Sequence, residues 1–472
     1  MATQPFSALR GPRCLPLFGN VLDYSRFGPY TFDRMHLAKE KNYIKYGDIY
    51  KEKFGPVVVV QLFNPDDISS VLKNEGKLPI RPPLPLLKAA NRRDGIALGL
   101  GSLNGEDWWK LRKTVQKPLM HHRAGAAYLP AQEKVADEFM NVLDTIKDLN
   151  GSVANFEELI LRYTMESIGT VCFNKRIGVL DENKKESREL FDSIKKQFAA
   201  VQRTYFAFPW FELYRSEAYR EFLAAKTFSD KFAKDCIISS RRELTVDDTS
   251  PNLLKSLIDD TSISEREAVG IITDLFIAGI DSTASALSFL LYNLANNLRE
   301  QSRLFEEIID VVGTGKITAD SFDKMPYLKA CVKESFRLFF PVQGGTTRVL
   351  DKDLVLGGYA IPKKSFVAFN NQTMCLSRDY FSCPHKYIPE RWLKRGSAST
   401  SPPHPYVMLP FGFGARMCIG RRFAEQEIYL AIAKLLQKFE IQENSSKPMG
   451  IINRVFNTPD RPLLIKLYKR SF

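Results

Sequence analysis

One cysteine stands in a glycine-rich stretch directly before a helix-like pattern. In the segment PFGFGARMCIGRRFAEQE (410–427), glycines and Arg416 precede Cys418, and Gly420 with two more arginines follows it. Apolar residues then recur at spacings near three and four, which predicts a helix just past the cysteine. Helix N-termini and nearby cations lower the pKa of a thiol, and glycines let the backbone approach a flat ligand. This setting favours a thiolate that could act as a nucleophile or a metal ligand; a buried cysteine in a tight turn is the alternative.

A second group able to do chemistry lies inside the longest helix-like pattern of the chain. This pattern starts at Ser264, which with Glu267 predicts a capping box, and it extends for roughly 50 Å at 1.5 Å per residue. Residues 271–291 are apolar nearly all round, so we expect the helix to cross the core. Asp281 and Ser282 interrupt this apolar run. Burying an unpaired acid is unfavourable, so these side chains either satisfy helix carbonyls and water or move protons.

The elements that must position these residues are mainly helical. Helical periodicity dominates residues 105–340, whereas strand-like patterns are found at 49–63, which predicts a hairpin, and at 354–370. The fold class is therefore mainly α with a small β region. We expect residues 1–30 to form a proline-rich leader and residues 31–472 to form a single domain.

The composition narrows the class of protein. The 67 basic and 54 acidic residues give a net charge of +13, which suits an acidic partner or an anionic membrane surface. Seven cysteines without a Cys-x-x-Cys pair argue against a disulfide scaffold and a zinc site. The sequence has no run of about eighteen apolar residues, so we expect no membrane-spanning helix.

The wider pattern around the cysteine is more specific than its chemistry alone. Phe411, Gly414, Arg416, Cys418 and Gly420 match F-x-x-G-x-R-x-C-x-G. This pattern resembles the haem-binding loop of the cytochrome P-450 family. The resemblance implies that Cys418 is the axial ligand of haem b, that Arg416 pairs with a haem propionate and that Phe411 packs near the sulfur. A thiolate ligand pushes electron density onto the iron and favours O–O cleavage.

Other segments are similar to motifs of the same family, in the expected order. Glu334 and Arg337 form E-x-x-R, and the PERW segment that follows supplies Arg391. The resemblance implies a buried charge triad, whose members must satisfy one another.

Two further segments are similar to parts of the family that contact haem propionates. Trp108 and Arg112 match W-x-x-x-R, and Arg348 matches a third contact. Without the other motifs, an amphipathic helix with an exposed arginine would be the better explanation of the first pair.

The acid inside the long helix also has a family counterpart, with one departure. Ala278, Gly279 and Asp281 match A/G-G-x-D/E-T, which implies room for dioxygen and a proton relay. The hydroxyl position holds Ser282, and Thr283 comes one residue late. The resemblance implies that Asp281 and Ser282 relay protons, and Thr283 is a further candidate for the relay. Serine keeps the hydroxyl but loses the methyl group that restricts its rotamer. We expect the relay to survive, with more uncoupling to peroxide.

Basic residues near E-x-x-R resemble those of the mitochondrial-type branch. Lys329 and Lys333 lie four apart, and Arg422 is a further candidate. The resemblance implies docking of a small acidic ferredoxin fed by its reductase; a solvated lysine face is the alternative. We then expect a matrix enzyme in peripheral contact with the inner membrane, and no nucleic-acid partner.

The resemblance implies a fold with haem between the long central helix and the helix after Cys418. It also implies a monooxygenase that acts with dioxygen on a bulky apolar substrate, most simply a sterol, steroid or secosteroid of ecdysteroid or vitamin D type. Xenobiotic oxidation, a donor-independent isomerase or dehydratase, and a non-catalytic lipid-binding or haem-sensing protein remain alternatives. The residues expected to line the pocket are Ile277, Ala278, Val342 and Thr346.

Overall fold

The structure is a computed structural model that describes residues 3–25, 28–121, 124–181, 183–205, 210–243, 253–342, 346–393 and 403–470. Its helices are α1 (Met35–Tyr46), α2 (Pro65–Lys73), α3 (Pro85–Asp94), α4 (Gly105–Met120), α5 (Ala124–Ile146), α6 (Phe156–Phe173), α7 (Lys185–Tyr205), α8 (Glu217–Glu243), α9 (Leu253–Asp259), α10 (Glu265–Asn296), α11 (Leu298–Val312), α12 (Ala319–Asp323), α13 (Pro326–Leu338), α14 (Asn371–Cys375) and α15 (Arg421–Lys438). Its strands are β1 (Gln4–Pro5), β2 (Ile49–Phe54), β3 (Val57–Leu62), β4 (Thr347–Val349), β5 (Leu354–Leu356), β6 (Tyr359–Ile361), β7 (Phe366–Phe369), β8 (Phe439–Glu443), β9 (Ile451–Asn453), β10 (Asn457–Pro459) and β11 (Ile465–Lys469). The expected mainly α fold with a small β region is confirmed.

The long helix α10 forms the centre of the fold. The predicted capping box is present, because Ser264 accepts from the Glu267 backbone and Glu267 reaches back to the Ser264 backbone. The helix packs against α6, α8, α13 and α15. Helix α10 is long and apolar enough to cross a membrane, but most of its apolar stretch is buried inside the protein. It is therefore the core helix that the sequence predicts.

The helix that follows the cysteine packs against α10 through two apolar clusters. In the first cluster, side chains of α15 meet those of α5, α6, α10 and α13. In the second cluster, Ile419 and Phe423 at the start of α15 join Ile280 of α10 and Ile168 of α6. The start of α15 is thereby fixed relative to the middle of α10.

Most strands lie in two small sheets beside the helices. The larger sheet has the order β2-β3-β7-β4, in which β2 and β3 form the predicted antiparallel hairpin and β3 pairs parallel to β7. The smaller sheet has the order β1-β6-β5. Strand β4 carries Arg348 at one edge of the larger sheet, next to the cysteine loop.

The first described residues pack on the rest of the chain. Gln4 pairs with Tyr359, and Leu9 is buried in the cluster beneath the larger sheet. Residues 13–18 project from this surface, because every one of them is exposed. A bridge between Leu15 and Gly19 closes their turn.

Candidate active site

The cysteine loop is closed by its own backbone. The Cys418 N–H donates to the Phe411 carbonyl at 2.8 Å, and the Met417 N–H donates to the Gly414 carbonyl at 3.0 Å. Gly412 and Gly414 have φ angles of 71° and 72°, in the left-handed region that favours glycine. The glycines are therefore needed to form a loop that presents Cys418 just before α15.

The Cys418 side chain is accessible, although protein atoms surround it closely. Burial raises the pKa of the Cys418 thiol, while the Gly420 N–H and the guanidinium groups of Arg81 and Arg112 act in the opposite direction. The helix start and the arginines thus act on the thiol in the direction that the sequence predicts, and burial acts against them. A bound metal ion would displace the proton, because cysteine binds metals as the thiolate.

Four arginines converge near this cysteine. Burial and mutual repulsion lower the pKa of Arg81 to about 10 and that of Arg416 to about 9, and Arg112 and Arg348 contribute to both shifts. Glu75 is a carboxylate that acts on Arg81, Arg348 and Arg416, and it forms an ion pair with Arg348. The cluster thus has more positive than negative charge.

The donor set fits an anionic cofactor. The Nε of Arg112 is buried without a hydrogen-bond partner among the described residues. The Arg81 guanidinium also donates no hydrogen bond to any part of the chain that the structure describes. Unsatisfied guanidinium groups in an enclosed site are costly, and carboxylates are their natural partners. Haem b, with two propionates and an iron for the Cys418 sulfur, suits these residues.

Arg416 is held by the protein itself. Its guanidinium lies 3.8 Å from the centre of the buried Trp108 ring. It donates to the carbonyls of Pro79, Leu100 and Leu103 and to the Asn104 side chain. Arg416, predicted to pair with a propionate, therefore donates most of its hydrogen bonds to the loop before α4.

The other two predicted propionate contacts, Arg112 and Arg348, differ in whether their donors are already engaged by the protein. Arg112, one turn after Trp108, donates to the Met417 carbonyl at 3.0 Å and so supports the cysteine loop. Arg348 already pairs with Glu75. Among the predicted set, Arg112 keeps an unused donor.

Sequence reasoning missed Arg81 and Asn104. The Arg81 N–H donates to Asn104 Oδ1 at 2.9 Å, and Asn104 Nδ2 donates back to the Arg81 carbonyl at 2.9 Å. Asn104 also accepts from Arg416 at 2.6 Å. The only local signal for Arg81 is a lone arginine within a proline-rich stretch, KLPIRPPLP.

The predicted charge triad is brought together. Glu334 accepts from Arg337 at 2.8 and 2.9 Å and from Arg391 at 3.0 Å. Trp392 Nε1 donates to the same carboxylate at 2.8 Å. Arg337 is fully buried and also donates to the carbonyls of Cys375, Pro384 and Lys386. The triad ties α13 to the turn-rich segment ahead of the cysteine loop.

One face of α10 is accessible although the helix is buried. Ala278 is exposed, and Asp281 and Ser282 are partly so. Ser282 Oγ donates to the Ala278 carbonyl at 2.7 Å. Burial raises the pKa of Asp281 to about 6, against the opposing charge of Arg454. The acid and hydroxyl expected to relay protons thus share one open face.

Two other residues of this motif lie elsewhere on α10. Thr283, included in the predicted relay, is 3% exposed and lies off the open face, because it is one residue late in the helix. A Cβ on Gly279 would lie 2.9 Å from Ile168, so this glycine allows α6 to pack closely. Gly279 thus contributes to helix packing, and the catalytic roles expected of both residues stay predictions.

The expected pocket residues occupy three places. Ile277 packs partly against the second apolar cluster, next to the exposed Ala278. Thr346 lies beside the cysteine loop, because a Cβ on Gly412 would be 4.0 Å from its Oγ1. Val342 pairs with Phe456, so it belongs to the edge of this region.

The residues expected to dock the ferredoxin already contact other groups of the protein. Lys329 pairs with Asp323 at 3.0 Å. Lys333 lies 4.0 Å above the Trp392 ring, and burial lowers its pKa. Arg422 donates through Nε to the Met120 carbonyl. The docking role expected of these residues stays a prediction.

A cysteine loop, an arginine cluster and an open acid-and-hydroxyl face on a buried helix define a haem-thiolate monooxygenase. The cytochrome P-450 family model matches residues 9–467, and the chain belongs to this family. Its cofactor is therefore haem with an axial cysteine thiolate, and its reaction class is monooxygenation.

Relatives match over nearly the whole chain. Cytochrome P-450 10 of Lymnaea stagnalis is 31% identical, covering 99% of this chain and 86% of its own. The mitochondrial 1,25-dihydroxyvitamin D(3) 24-hydroxylase of Rattus norvegicus is 30% identical, covering 99% and 90%. The mitochondrial sterol 26-hydroxylase of Oryctolagus cuniculus is 29% identical, covering 90% and 82%. The expected resemblance to mitochondrial members is confirmed by the last two.

When bound, the haem supplies oxygen activation, which no side chain of the protein can supply. The chain's residues hold and orient the group. Cys418 would bind the iron, and Arg81 and Arg112 have donors available for the propionates. Ser282 and Asp281 can hold a proton on the open face of α10.

Proposed function

We propose that this protein is a mitochondrial monooxygenase that hydroxylates a bulky apolar sterol or secosteroid with electrons from a ferredoxin. The observation that carries the proposal is the open face of α10. There Ala278 is accessible although most of the helix is buried, and Asp281 and Ser282 lie beside it. Small and apolar neighbours there suit a large apolar substrate. The printed names of the vitamin D and sterol relatives support the substrate class.

The first experiment tests the substrate class. The holoenzyme is titrated with cholesterol and 1,25-dihydroxyvitamin D3, and the shift of the haem absorption band is followed. At least one of these probes should shift the band and give a hydroxylated product with ferredoxin, its reductase and NADPH. A protein that binds neither probe would contradict the proposed substrate class.

The second experiment tests the electron donor. Positive charge on α13 and at the start of α15 supports an acidic partner, because Lys329 and Arg421 remain partly exposed. Reversing the charge of Lys329 should raise the KM for ferredoxin with little change in kcat, and added salt should weaken the wild-type interaction. Lys185 on α7, also exposed, provides a matched control. Turnover that proceeds without any donor would favour an isomerase or dehydratase instead.

Membrane contact is supported by the projecting turn at residues 13–18. Leu15, Leu17 and Phe18 are 47%, 85% and 54% exposed, and Arg13 is exposed beside them. Apolar side chains with a flanking cation suit an anionic bilayer surface. The aromatic-rich segment YFAFPWFELY (205–214) is a further candidate for membrane contact and substrate entry, with a core or channel wall as the alternative, but its residues 206–209 lie outside the described residues.

A further inference from the structure

Glu75, which follows α2, contacts two of the elements that build the haem site. Its Oε1 accepts from the Nε of Arg348 on β4. Its Oε2 lies next to the cysteine loop, because a Cβ on Gly414 would be 3.5 Å from this oxygen. The Arg348 Nη1 also donates to the Thr347 carbonyl at 3.1 Å, so the guanidinium is held on two sides. Glu75 therefore fixes Arg348 relative to the cysteine loop.

The ion pair of Glu75 and Arg348 is shielded from water. The side chains of Arg348 and Glu75 are only 2% and 10% exposed. Charges interact more strongly where water is excluded. The Glu75 carboxylate interacts electrostatically with Arg81 and Arg416 as well as with Arg348, and Arg81 also interacts with Cys418. Glu75 thus belongs to the same electrostatic cluster as the cysteine that would bind the iron.

The charges of this cluster balance only when Glu75 is counted. The four guanidinium groups exceed by one the three negative charges that one cysteine thiolate and two propionates supply together. The Glu75 carboxylate supplies the fourth negative charge. Its Oε2 accepts no hydrogen bond from any residue that the structure describes, so a neighbouring donor does not spread this part of the charge.

A negative charge in this cluster must affect how readily the haem accepts an electron. Reduction adds one electron to ferric haem and gives ferrous haem, and a nearby carboxylate repels that electron. We propose that Glu75 is a positioning residue of the haem site that holds Arg348 in place and lowers the reduction potential of the haem through its negative charge. The alternative is that Glu75 only holds Arg348 in place.

A surface pocket gives the Glu75 carboxylate a route for protons. The pocket has a volume of about 300 Å³ and is lined by Glu75, Arg348 and Asp351 and by apolar side chains. Burial raises the pKa of Glu75, while the positive charges around it act in the opposite direction. The charged groups that face Glu75 are Arg348 on β4, Arg81 before α3, Arg416 in the cysteine loop and Asp351 after β4. Protons from solvent can therefore reach Glu75 and remove its charge as the pH falls.

The test measures the midpoint potential of the haem in the full-length holoenzyme without substrate. Each protein is titrated with dithionite in the presence of dye mediators, near neutral pH. Glu75→Gln keeps an oxygen that can accept from Arg348 but removes the charge. The equilibrium between ferric and ferrous haem should shift about tenfold toward the ferrous form, which raises the midpoint potential by about 59 mV for a one-electron couple.

Two further variants separate the charge of Glu75 from its packing. Asp351→Asn is the matched control: Asp351 lines the same pocket, but it is exposed and accepts from the Gly76 N–H at 3.1 Å. Its loss of charge should leave the midpoint potential unchanged, because water screens it. Glu75→Asp keeps the charge and should stay close to the wild type. If Glu75→Asp matches Glu75→Gln, the effect comes from packing and the electrostatic role is overturned.

The pH dependence gives a readout that a purely structural role would not change. The difference between the wild type and Glu75→Gln should shrink as the pH is lowered from about 8 to about 5, because a protonated carboxyl group is as neutral as an amide. A difference that is independent of pH, or an unchanged potential in Glu75→Gln, would overturn the proposal. So would a folded Glu75→Gln protein that retains no haem, since Glu75 would then be needed to assemble the site.

This inference concerns the haem site that family membership establishes. The measurements use neither a substrate nor a ferredoxin. Their outcome is therefore independent of the substrate class and the electron donor proposed above.

Discussion

Arg416 and Asp274 contact opposite ends of one peptide group. The carbonyl of Leu100 accepts from Arg416 Nη1 at 3.4 Å, and the N–H of Gly101 in the same peptide donates to Asp274 at 2.8 Å. The cysteine loop and the long helix are thus linked through a single loop that touches both.

Replacing Arg416 by lysine should loosen this link. Lysine is a point charge and cannot reproduce the planar fork that reaches four acceptors and stacks on Trp108. We expect Arg416→Lys to lower the free energy of unfolding by about 3–6 kcal/mol, as for two lost charged hydrogen bonds at about 1.5–3 kcal/mol each. Urea denaturation of both proteins measures this, and an unchanged midpoint would show that the fork is not needed.

Removing the charge of Glu334 should be more damaging than removing an exposed one. Glu334→Gln leaves the fully buried Arg337 without its counter-ion, and breaking such a pair costs about 3–5 kcal/mol. The exposed pair of Lys185 and Glu189 provides the control, because Glu189→Gln should cost less than about 1 kcal/mol. Equal losses in the two variants would contradict a stabilising triad.

The Ser282 hydroxyl should control how efficiently oxygen is used. Ser282→Ala removes the only hydroxyl that the described part of the motif presents on the open face, so peroxide released per NADPH should rise several-fold. Ser282→Thr should match the wild type or improve on it, since threonine holds its hydroxyl in fewer rotamers. The measurement is peroxide yield with a saturating substrate and ferredoxin. Wild-type coupling in the alanine variant would exclude the relay.

Asp281 should make stability depend on pH. Its pKa rises from 3.8 to about 6 in the folded protein, so the folded state holds a proton that the unfolded state releases. The stability gained from this proton is fully present below pH 3.8 and is lost as the pH rises to about 6. Relative to Asp281→Asn, the wild type should therefore lose about 2–3 kcal/mol between pH 4 and 6. Urea midpoints across this range provide the measurement, and parallel curves would contradict the shift.

The projecting turn should bind membranes through its apolar side chains. Replacing Leu17 and Phe18 with serine should weaken binding to anionic vesicles at least about tenfold, because each buried apolar side chain contributes about 1.5–3 kcal/mol. Leu149, fully exposed between α5 and α6, provides the control. Leu149→Ser should leave vesicle sedimentation unchanged. An equal loss in both variants would mean that the turn is not a specific contact.

Motifs confined to one turn or loop were predictable from sequence, because their members meet through local geometry. The capping box at Ser264 and the residues of E-x-x-R are of this kind. Likewise, the glycine spacing around Cys418 has a direct structural reason in the φ angles of Gly412 and Gly414.

Contacts between distant segments were not predictable. Asp274 meets Gly101 across 173 residues, and Arg81 joins the other arginines only after its loop folds onto the cysteine loop. The burial that raises the pKa of the Cys418 thiol was also not predictable, because it depends on the packed structure. Glu75, which pairs with Arg348, has no motif of its own.

The crowding of Arg81, Arg112, Arg348 and Arg416 has a consequence for biosynthesis. Like charges that lower one another's pKa also oppose the last stage of folding, and Glu75 alone does not balance them. Newly made chains should therefore mature only as fast as porphyrin is delivered to them. In cells starved of iron, the abundance of this protein should fall through proteolysis while its messenger RNA stays constant.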